Sequence, residues 1–246
     1  MKTFYLIGQY FGFLLKVFRK PEKGKVFRQQ TLIEIDVLGI ESLGIVAIIS
    51  VFMGAVLAIQ TASNIDNPLI PLYTIGFATR QSMVLEFSPT IVSLILAGKV
   101  GSRISSEIGT MRITEQIDAL EIMGINSAQH LALPKITASL IINPVLITIS
   151  MFCGCIGAYL ASMLSDLVTS YHFIEGLQLE FKIFHLVYAY IKTLVFAFII
   201  SSVSAFFGYY VSGGALEVGR ASTKAVVSSS ILIILFNLIL TQLLLV

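Results

Sequence analysis

The chain has 246 residues, of which 56% are hydrophobic and only 12% are charged, with a formal net charge of +2. Its mean hydropathy is +0.90. Soluble globular domains carry about 25% charged residues, so this composition excludes a soluble domain and predicts an integral membrane protein. The long apolar stretches lack the strict alternation of a transmembrane β-barrel, which favours an all-α fold.

The first segment, residues 1–30, is predicted to form an amphipathic helix at the membrane surface. Its apolar part, residues 4–18, is interrupted by Gln9 and Lys16, which argues against a cleavable signal peptide. A basic group follows: Arg19, Lys20, Lys23, Lys25 and Arg28. Such residues are attracted to anionic headgroups, whereas a solvated charged leader is the alternative.

Five apolar stretches follow, each long enough to provide the roughly 20 residues that cross a bilayer. They are residues 43–62, 83–105, 133–164, 186–210 and 225–246. Most Lys and Arg residues fall at the same side of these spans as the amino terminus. The positive-inside rule therefore predicts a cytoplasmic amino terminus. With no repeat or separate soluble segment visible, we expect one membrane domain over residues 1–246.

A charged island, residues 107–126, connects the second and third spans and is predicted to be a cytoplasmic helix. Two sets of residues recur along it at helical spacing. They are the apolar Ile113, Ile117, Leu120 and Gly124, with Met123 beside them, and the acidic Glu115, Asp118 and Glu121. Thr110 or Thr114 is expected to cap the start, and Gly124 with Asn126 to end the helix. Surface helices favour basic polar faces, so docking on a soluble partner is preferred over the bilayer, with a solvated loop helix as the alternative.

Two ionisable residues lie inside predicted spans near their expected outer ends, Glu86 in the second and Lys192 in the fourth. Such residues are costly in a bilayer and are functional candidates. They are expected at similar depth near the outer side, either as a pair or in a polar cluster with Arg80 and Gln60. In the alternative, Lys192 extends to the membrane surface and Glu86 caps a helix start beside Pro89.

The sequence offers no catalytic or metal site. Cys153 and Cys155 point in different directions on a helix, and no HExxH or GxxxxGK[ST] motif occurs. Without a nucleophile and base, a lipid-modifying membrane enzyme is the weaker alternative. Five unrepeated spans also argue against an ion-coupled secondary transporter. Nucleotide hydrolysis would have to come from another chain.

Two long stretches resemble the MlaE/YrbE-type permeases of ABC lipid transporters. They are LAGKVGSRISSEIGTMRITEQIDALEIMGIN, residues 96–126, and GYYVSGGALEVGRASTKAVVSSS, residues 208–230. The resemblance implies a homodimer with five spans per chain and an interfacial helix. It also implies that the cytoplasmic helix is a coupling helix docked on an ABC ATPase, which would bind ATP and Mg²⁺. The contacting residues expected from it are Glu107, Arg112, Glu115, Gln116, Asp118 and Glu121.

The sequence LEFSP, residues 85–89, stands where the family has an RELGP-like motif near its lipid cavity. Glu86 and Pro89 are retained, whereas Leu85 replaces the Arg, so Arg80 is the remaining candidate for a headgroup phosphate. The lipid-binding residues implied are Gln60, Tyr73, Phe77, Arg80, Glu86 and Lys192. Val56, Leu57 and Val84 are expected to line the cavity.

The resemblance also implies a function and a location. It implies phospholipid transport between the bacterial inner membrane and a periplasmic MCE-domain lipid-binding protein. A small cytoplasmic accessory subunit is a further partner that it allows, whereas no nucleic-acid partner is expected. This chain itself is expected to carry no cofactor and no enzymatic activity.

Overall fold

The computed structural model describes residues 2–19, 24–65, 71–165 and 168–245. Across these ranges it has eight helices and no strand, which confirms the all-α fold. They are α1 (Lys2–Val17), α2 (Gly24–Ser63), α3 (Tyr73–Ile113), α4 (Gln116–Ile122), α5 (Ser127–Leu164), α6 (Ser170–Gln178), α7 (Ile183–Tyr209) and α8 (Ala215–Leu245). Five of them, α2, α3, α5, α7 and α8, are long and apolar enough to cross a membrane, as predicted.

Helices α2 and α3 extend well beyond the predicted spans. Helix α2 has 40 residues, which at 1.5 Å per residue is about 60 Å, twice the bilayer core. The apolar pattern marks only the part that would lie in lipid. The predicted interfacial segment 1–30 does not form one helix. Helix α1 is a separate apolar helix, whereas Lys25 and Arg28 belong to α2. Lys20 and Lys23 lie outside the described residues.

The other spans also begin earlier than predicted. Helix α5 starts at Ser127 rather than 133, α7 at Ile183 rather than 186, and α8 at Ala215 rather than 225. Polar residues fill the first turns of α8, which is why the hydropathy pattern missed them. The segments between the first and second predicted spans and between the third and fourth also contain helix: Tyr73–Ser82 is the start of α3, and α6 lies in the other.

The chain divides into two compact units. The first comprises Met1–Glu41, Leu94–Asn143 and Leu194–Val246, and the second comprises Ser42–Ser93 and Pro144–Thr193. The single membrane domain inferred from the sequence stays a prediction.

In the first unit, α1 is held by aromatic contacts. Phe13 is fully buried, and its ring centre lies 5.2 Å from that of Tyr209. The Tyr10 hydroxyl lies 2.8 Å from Ser202 Oγ. These contacts fix α1 along the last turns of α7, while Phe4, Phe11 and other apolar side chains remain exposed. An exposed apolar face suits a helix at a membrane surface.

A buried ion pair network joins three other helices of the first unit. Lys135 on α5 is 2% exposed. Its Nζ lies 2.5 Å from Glu34 Oε1 on α2 and 2.8 Å from Glu107 Oε2 on α3. Removing one partner from such a network costs about 3–5 kcal/mol, because a buried charge is then left unpaired. The network therefore holds the three helices in register.

In the second unit, small residues let α2 and α5 pack closely. A Cβ on Gly54 would lie 1.9 Å from the Gly154 carbonyl oxygen, so the two backbones touch. Nearby, Ser50 Oγ donates to Ser150 Oγ at 2.8 Å, and Ser150 Oγ donates to Ser88 Oγ at 3.1 Å. Small residues at interfaces and serine hydrogen bonds across helices are typical of packing between spanning helices.

Candidate functional site

The charged pair predicted between Glu86 and Lys192 is present in the second unit. Lys192 Nζ lies 2.7 Å from Glu86 Oε1. The Lys192 side chain is 0% exposed, and that of Glu86 is 40% exposed. The ammonium group also lies 3.4 Å from the Leu85 carbonyl oxygen and 4.4 Å from the centre of the Tyr188 ring. The alternative, in which Lys192 extends to the membrane surface, is therefore wrong.

Glu86 lies inside a helix and not at a helix start. It belongs to the π-helical segment Met83–Ile91 of α3, which also contains Pro89. Because Pro89 has no backbone N–H, a regular α-helical bond is missing there, and such π-helical turns are frequent at functional sites. The carboxylate accepts further hydrogen bonds from Tyr188 and Thr90, both at 3.3 Å. The alternative role of Glu86 as a cap is wrong.

Arg80 does not join the pair of Glu86 and Lys192 but contacts other residues of the second unit. Its Nη1 donates to the Leu177 carbonyl oxygen of α6 at 2.6 Å. The guanidinium lies 5.3 Å from the Phe77 ring centre and 5.8 Å from that of Phe181. Arg80 is only 6% exposed, yet its buried Nη2 has no hydrogen-bond partner among the described residues. A buried donor of this kind is costly, and it is available to a ligand that reaches it.

The remaining predicted lipid-binding residues are spread over the second unit. Gln60 is exposed, and the described part of the chain gives its side chain no partner, so the proposed four-residue polar cluster is only partly formed. Tyr73 and Phe77 are half-buried on the first turns of α3, where Gly176 of α6 approaches the Tyr73 carbonyl oxygen. Of the expected apolar lining, Val56 is exposed, but Leu57 and Val84 are buried against other helices.

The predicted cytoplasmic helix over residues 107–126 is two helices. Glu107 and Arg112 lie in the last turns of α3, which ends at Ile113, and Gln116 begins α4. Glu115 separates them, with a left-handed φ of 61°. A glutamate rarely adopts this conformation, which is why the sequence pattern does not reveal the break.

The predicted end of α4 is confirmed, but its predicted caps are wrong. Gly124 has a φ of 78°, and the amides of Gly124 and Ile125 donate to the carbonyls of Glu121 and Leu120, each at 3.0 Å. This is the Schellman arrangement that favours glycine after a helix. The hydroxyls of Thr110 and Thr114 instead donate to carbonyls four residues earlier in the chain.

Three predicted docking residues, Glu107, Arg112 and Asp118, make ion pairs within the chain. Glu107 binds Lys135, as described above. Arg112 Nη1 lies 2.6 Å from Asp118 Oδ1. Intrachain partners of this kind reduce what these side chains can offer to another protein.

The third acidic residue, Glu121, accepts hydrogen bonds from Ser127 at 2.8 Å and from Tyr209 at 3.0 Å. These two bonds, with that of Ser127 the larger cause, lower the pKa of the Glu121 carboxyl below its ordinary value. Glu121 therefore fixes α4 to α5 and α7.

The exposed edge of α4 is mixed rather than acidic. Ile117 is fully buried, whereas Ile122 is 87% and Met123 is 66% exposed. Glu115 and Gln116 are exposed beside them. Sequence reasoning missed Ile122 because it falls outside the apolar repeat. An apolar group surrounded by polar residues is the usual form of a protein-binding surface.

The described ranges hold no group of three or more His, Cys, Asp or Glu residues that could bind a metal ion. Cys153 and Cys155 are free thiols. The absence of a cofactor in this chain stays a prediction.

The family model described as permease MlaE matches residues 31–243, which is most of the chain. This protein belongs to the MlaE permease family. A probable ABC transporter permease protein of Rickettsia bellii is 37% identical over 206 residues, covering 84% of this MlaE permease and 79% of the relative. One from Synechocystis is 32% identical over 246 residues, covering 98% and 89%.

A plant relative also matches this MlaE permease. The chloroplastic protein TRIGALACTOSYLDIACYLGLYCEROL 1 of Arabidopsis thaliana is 32% identical over 223 residues, covering 89% of this chain and 63% of the plant protein. The family and these names identify a multi-pass ABC transporter permease, a class of membrane subunit that works with an ATPase partner.

Proposed function

We propose that this MlaE permease moves phospholipid as the membrane subunit of an ATP-driven transporter in the bacterial inner membrane. The observation that carries the proposal is the charged pair of Glu86 and Lys192, held within helices long and apolar enough to span a membrane. Charges at such positions are expensive and mark substrate paths. The Glu86 carboxylate is 40% exposed, whereas the Lys192 ammonium is fully buried. The carboxylate is therefore the member of the pair that a passing substrate could contact.

The proposed energy source is a cytoplasmic ABC ATPase that docks on α4. Its contact surface would be the exposed edge formed by Glu115, Gln116, Ile122 and Met123. This chain would work as a homodimer with its amino terminus in the cytoplasm. ATP and Mg²⁺ would be bound by the ATPase, whose closure would change the separation of two docked α4 helices. The permease chain itself would catalyse no reaction.

The proposed cargo is a glycerophospholipid. One relative carries the name of a glycerolipid, trigalactosyldiacylglycerol. The Nη2 of Arg80, which no described residue hydrogen-bonds, is a donor suited to a headgroup phosphate. The lipid would pass between the membrane and a periplasmic MCE-domain protein, because this chain has only short connections on that side. A small cytoplasmic accessory subunit fits the same assembly.

The docking proposal is tested by Ile122→Asp and Glu115→Lys in the full chain expressed with its ATPase. Both variants are expected to reduce co-purification of the ATPase and ATP-dependent transfer of labelled phospholipid in proteoliposomes. Glu175→Lys is the matched control, since Glu175 lies on α6 and has a partly exposed side chain. Unchanged co-purification and transfer in both α4 variants would contradict docking on this edge.

The assembly with the ATPase also tests the function itself. We expect labelled phospholipid to move only when ATP is supplied. Transfer by the permease without any ATPase would instead indicate an ion-coupled transporter. Chemical conversion of the lipid by purified permease would indicate an enzyme.

A further inference from the structure

A groove of about 890 Å³ lies in the first unit, between α1, the end of α7 and the start of α8. We call its apolar lining residues the apolar wall: Leu6, Phe206, Phe207 and Val227. We call its polar lining residues the polar wall: Gln9, Glu217, Arg220, Thr223 and Lys224. Helices α1 and α8 each contribute to both sets. None of these residues belongs to the proposed lipid path or to the ATPase-docking edge.

The polar wall carries one positive charge in excess. Arg220 Nη1 lies 2.5 Å from Glu217 Oε1, so this pair is neutral together. Lys224 lies one helical turn further along α8, is exposed, and forms no ion pair with any residue of the described ranges. The net charge of the groove is therefore complementary to a ligand with a single negative charge.

The position of Lys224 in the sequence indicates where that ligand would lie. Lys224 is the last charged residue before the predicted span 225–246, which carries no charged side chain. Basic residues at the end of a spanning helix lie at the level of the lipid headgroups. The apolar wall, which includes Val227 one turn deeper, would then lie beside acyl chains. A free phosphate would use only the polar wall and leave the apolar wall uncovered.

We infer that this groove binds one anionic glycerophospholipid from the membrane. Lys224 and Arg220 hold the phosphate, and the side-chain amide of Gln9 donates hydrogen bonds to the headgroup and ester oxygens. The acyl chains lie along Phe207 and Val227. A volume of about 890 Å³ is in the range of small-molecule sites, about 300–1,000 Å³, and accommodates a headgroup with the beginning of its chains.

The inference is tested by native mass spectrometry of the full chain in detergent, titrated with phosphatidylglycerol or with zwitterionic phosphatidylcholine. We expect a saturable adduct of one phosphatidylglycerol per chain and weaker binding of phosphatidylcholine. Lys224→Gln should lower the affinity for phosphatidylglycerol about fivefold, the effect of one basic residue on an anionic lipid. Lys182→Gln removes another exposed lysine, which lies outside the groove, and should leave the adduct unchanged.

A second variant tests the apolar wall and keeps every charge. Val227→Trp fills the groove and should lower the affinity at least as much as Lys224→Gln. Circular dichroism and the midpoint of thermal unfolding show whether each variant is folded. Binding by Val227→Trp equal to that of the native protein would overturn the inference. So would complete displacement of the lipid by millimolar inorganic phosphate, because the site would then be one for free phosphate.

A third measurement asks whether a second copy of the chain covers the groove. Val227→Cys is introduced after Cys153 and Cys155 have been replaced by Ala, and oxidation in membranes is followed on gels. Efficient cross-linking between two copies would overturn the inference. These measurements can be told apart from the test of transport. A native protein that forms no adduct but still transfers lipid with ATP would overturn only the inference about this groove. A protein that forms the adduct but transfers no lipid would contradict only the proposed function.

Discussion

Replacing Glu86 by Gln would leave the ammonium of Lys192 buried without its counter-ion. In the native structure the ammonium lies 2.7 Å from the Glu86 carboxylate, and its side chain has no exposed surface. The remaining neighbours are the Leu85 carbonyl oxygen and the Tyr188 ring. Neither carries a negative charge, so the lysine would have to lose its proton or draw in water.

The expected cost follows from which partner is removed. Breaking a buried ion pair from one side costs about 3–5 kcal/mol, and we expect about 3 kcal/mol because the Glu86 side chain is 40% exposed. Lys192→Met should cost less, about 1 kcal/mol, because the Glu86 carboxylate can turn to water. In a chain of this size 1 kcal/mol lowers the melting temperature by about 2–4 °C, so Glu86→Gln should lower it by about 6–12 °C.

The assay is a double-mutant cycle on the melting temperature in detergent. The variant with both substitutions should be more stable than Glu86→Gln alone, because the uncompensated charge is gone. Glu175→Gln is the control, since its pair with His172 is exposed and 3.4 Å long, and it should change stability by less than about 0.5 kcal/mol. Equal losses in the two single variants that add up in the double variant would refute the reasoning.

Two further predictions concern other parts of the chain. Because hydrogen bonds hold the pKa of Glu121 below its ordinary value of 4.5, the stabilisation they give is present at neutral pH and is lost as the pH falls through that lowered pKa. Glu121→Gln should therefore lower the melting temperature at pH 7 and have a shrinking effect in acid; a difference independent of pH would contradict this. Gly176→Ala would place a Cβ 2.0 Å from the Tyr73 carbonyl oxygen and should destabilise the protein by about 1–3 kcal/mol. Gly219→Ala, which faces open space, should not, and equal melting temperatures for the two variants would exclude a close contact of α6 with α3.

The sequence predicted the features that depend on composition. Five apolar stretches are enough to identify five spans, and the cost of Glu86 and Lys192 in lipid makes a pair one of the arrangements that the sequence predicts. Gly124 could be identified as a helix end because glycine is favoured in the left-handed conformation. Each of these features depends on the residues of one segment or on the energetic cost of placing charges in lipid.

Other features depend on contacts between distant segments and were missed. The break at Glu115 is not encoded by its own preference, since glutamate is a good helix former. The break instead accompanies contacts between distant segments: Ile117 is buried, and Glu121 makes hydrogen bonds with residues of α5 and α7. The bond from Arg80 to α6 likewise needs the position of a helix that the hydropathy pattern did not reveal.

The buried Lys135 has a consequence for biosynthesis. Its two carboxylate partners, Glu34 and Glu107, precede it by 101 and 28 residues. Because a chain is made from its amino terminus, both carboxylates have already left the ribosome when the ammonium group emerges. The order of residues along the chain therefore allows α5 to enter the membrane beside helices that can neutralise it at once.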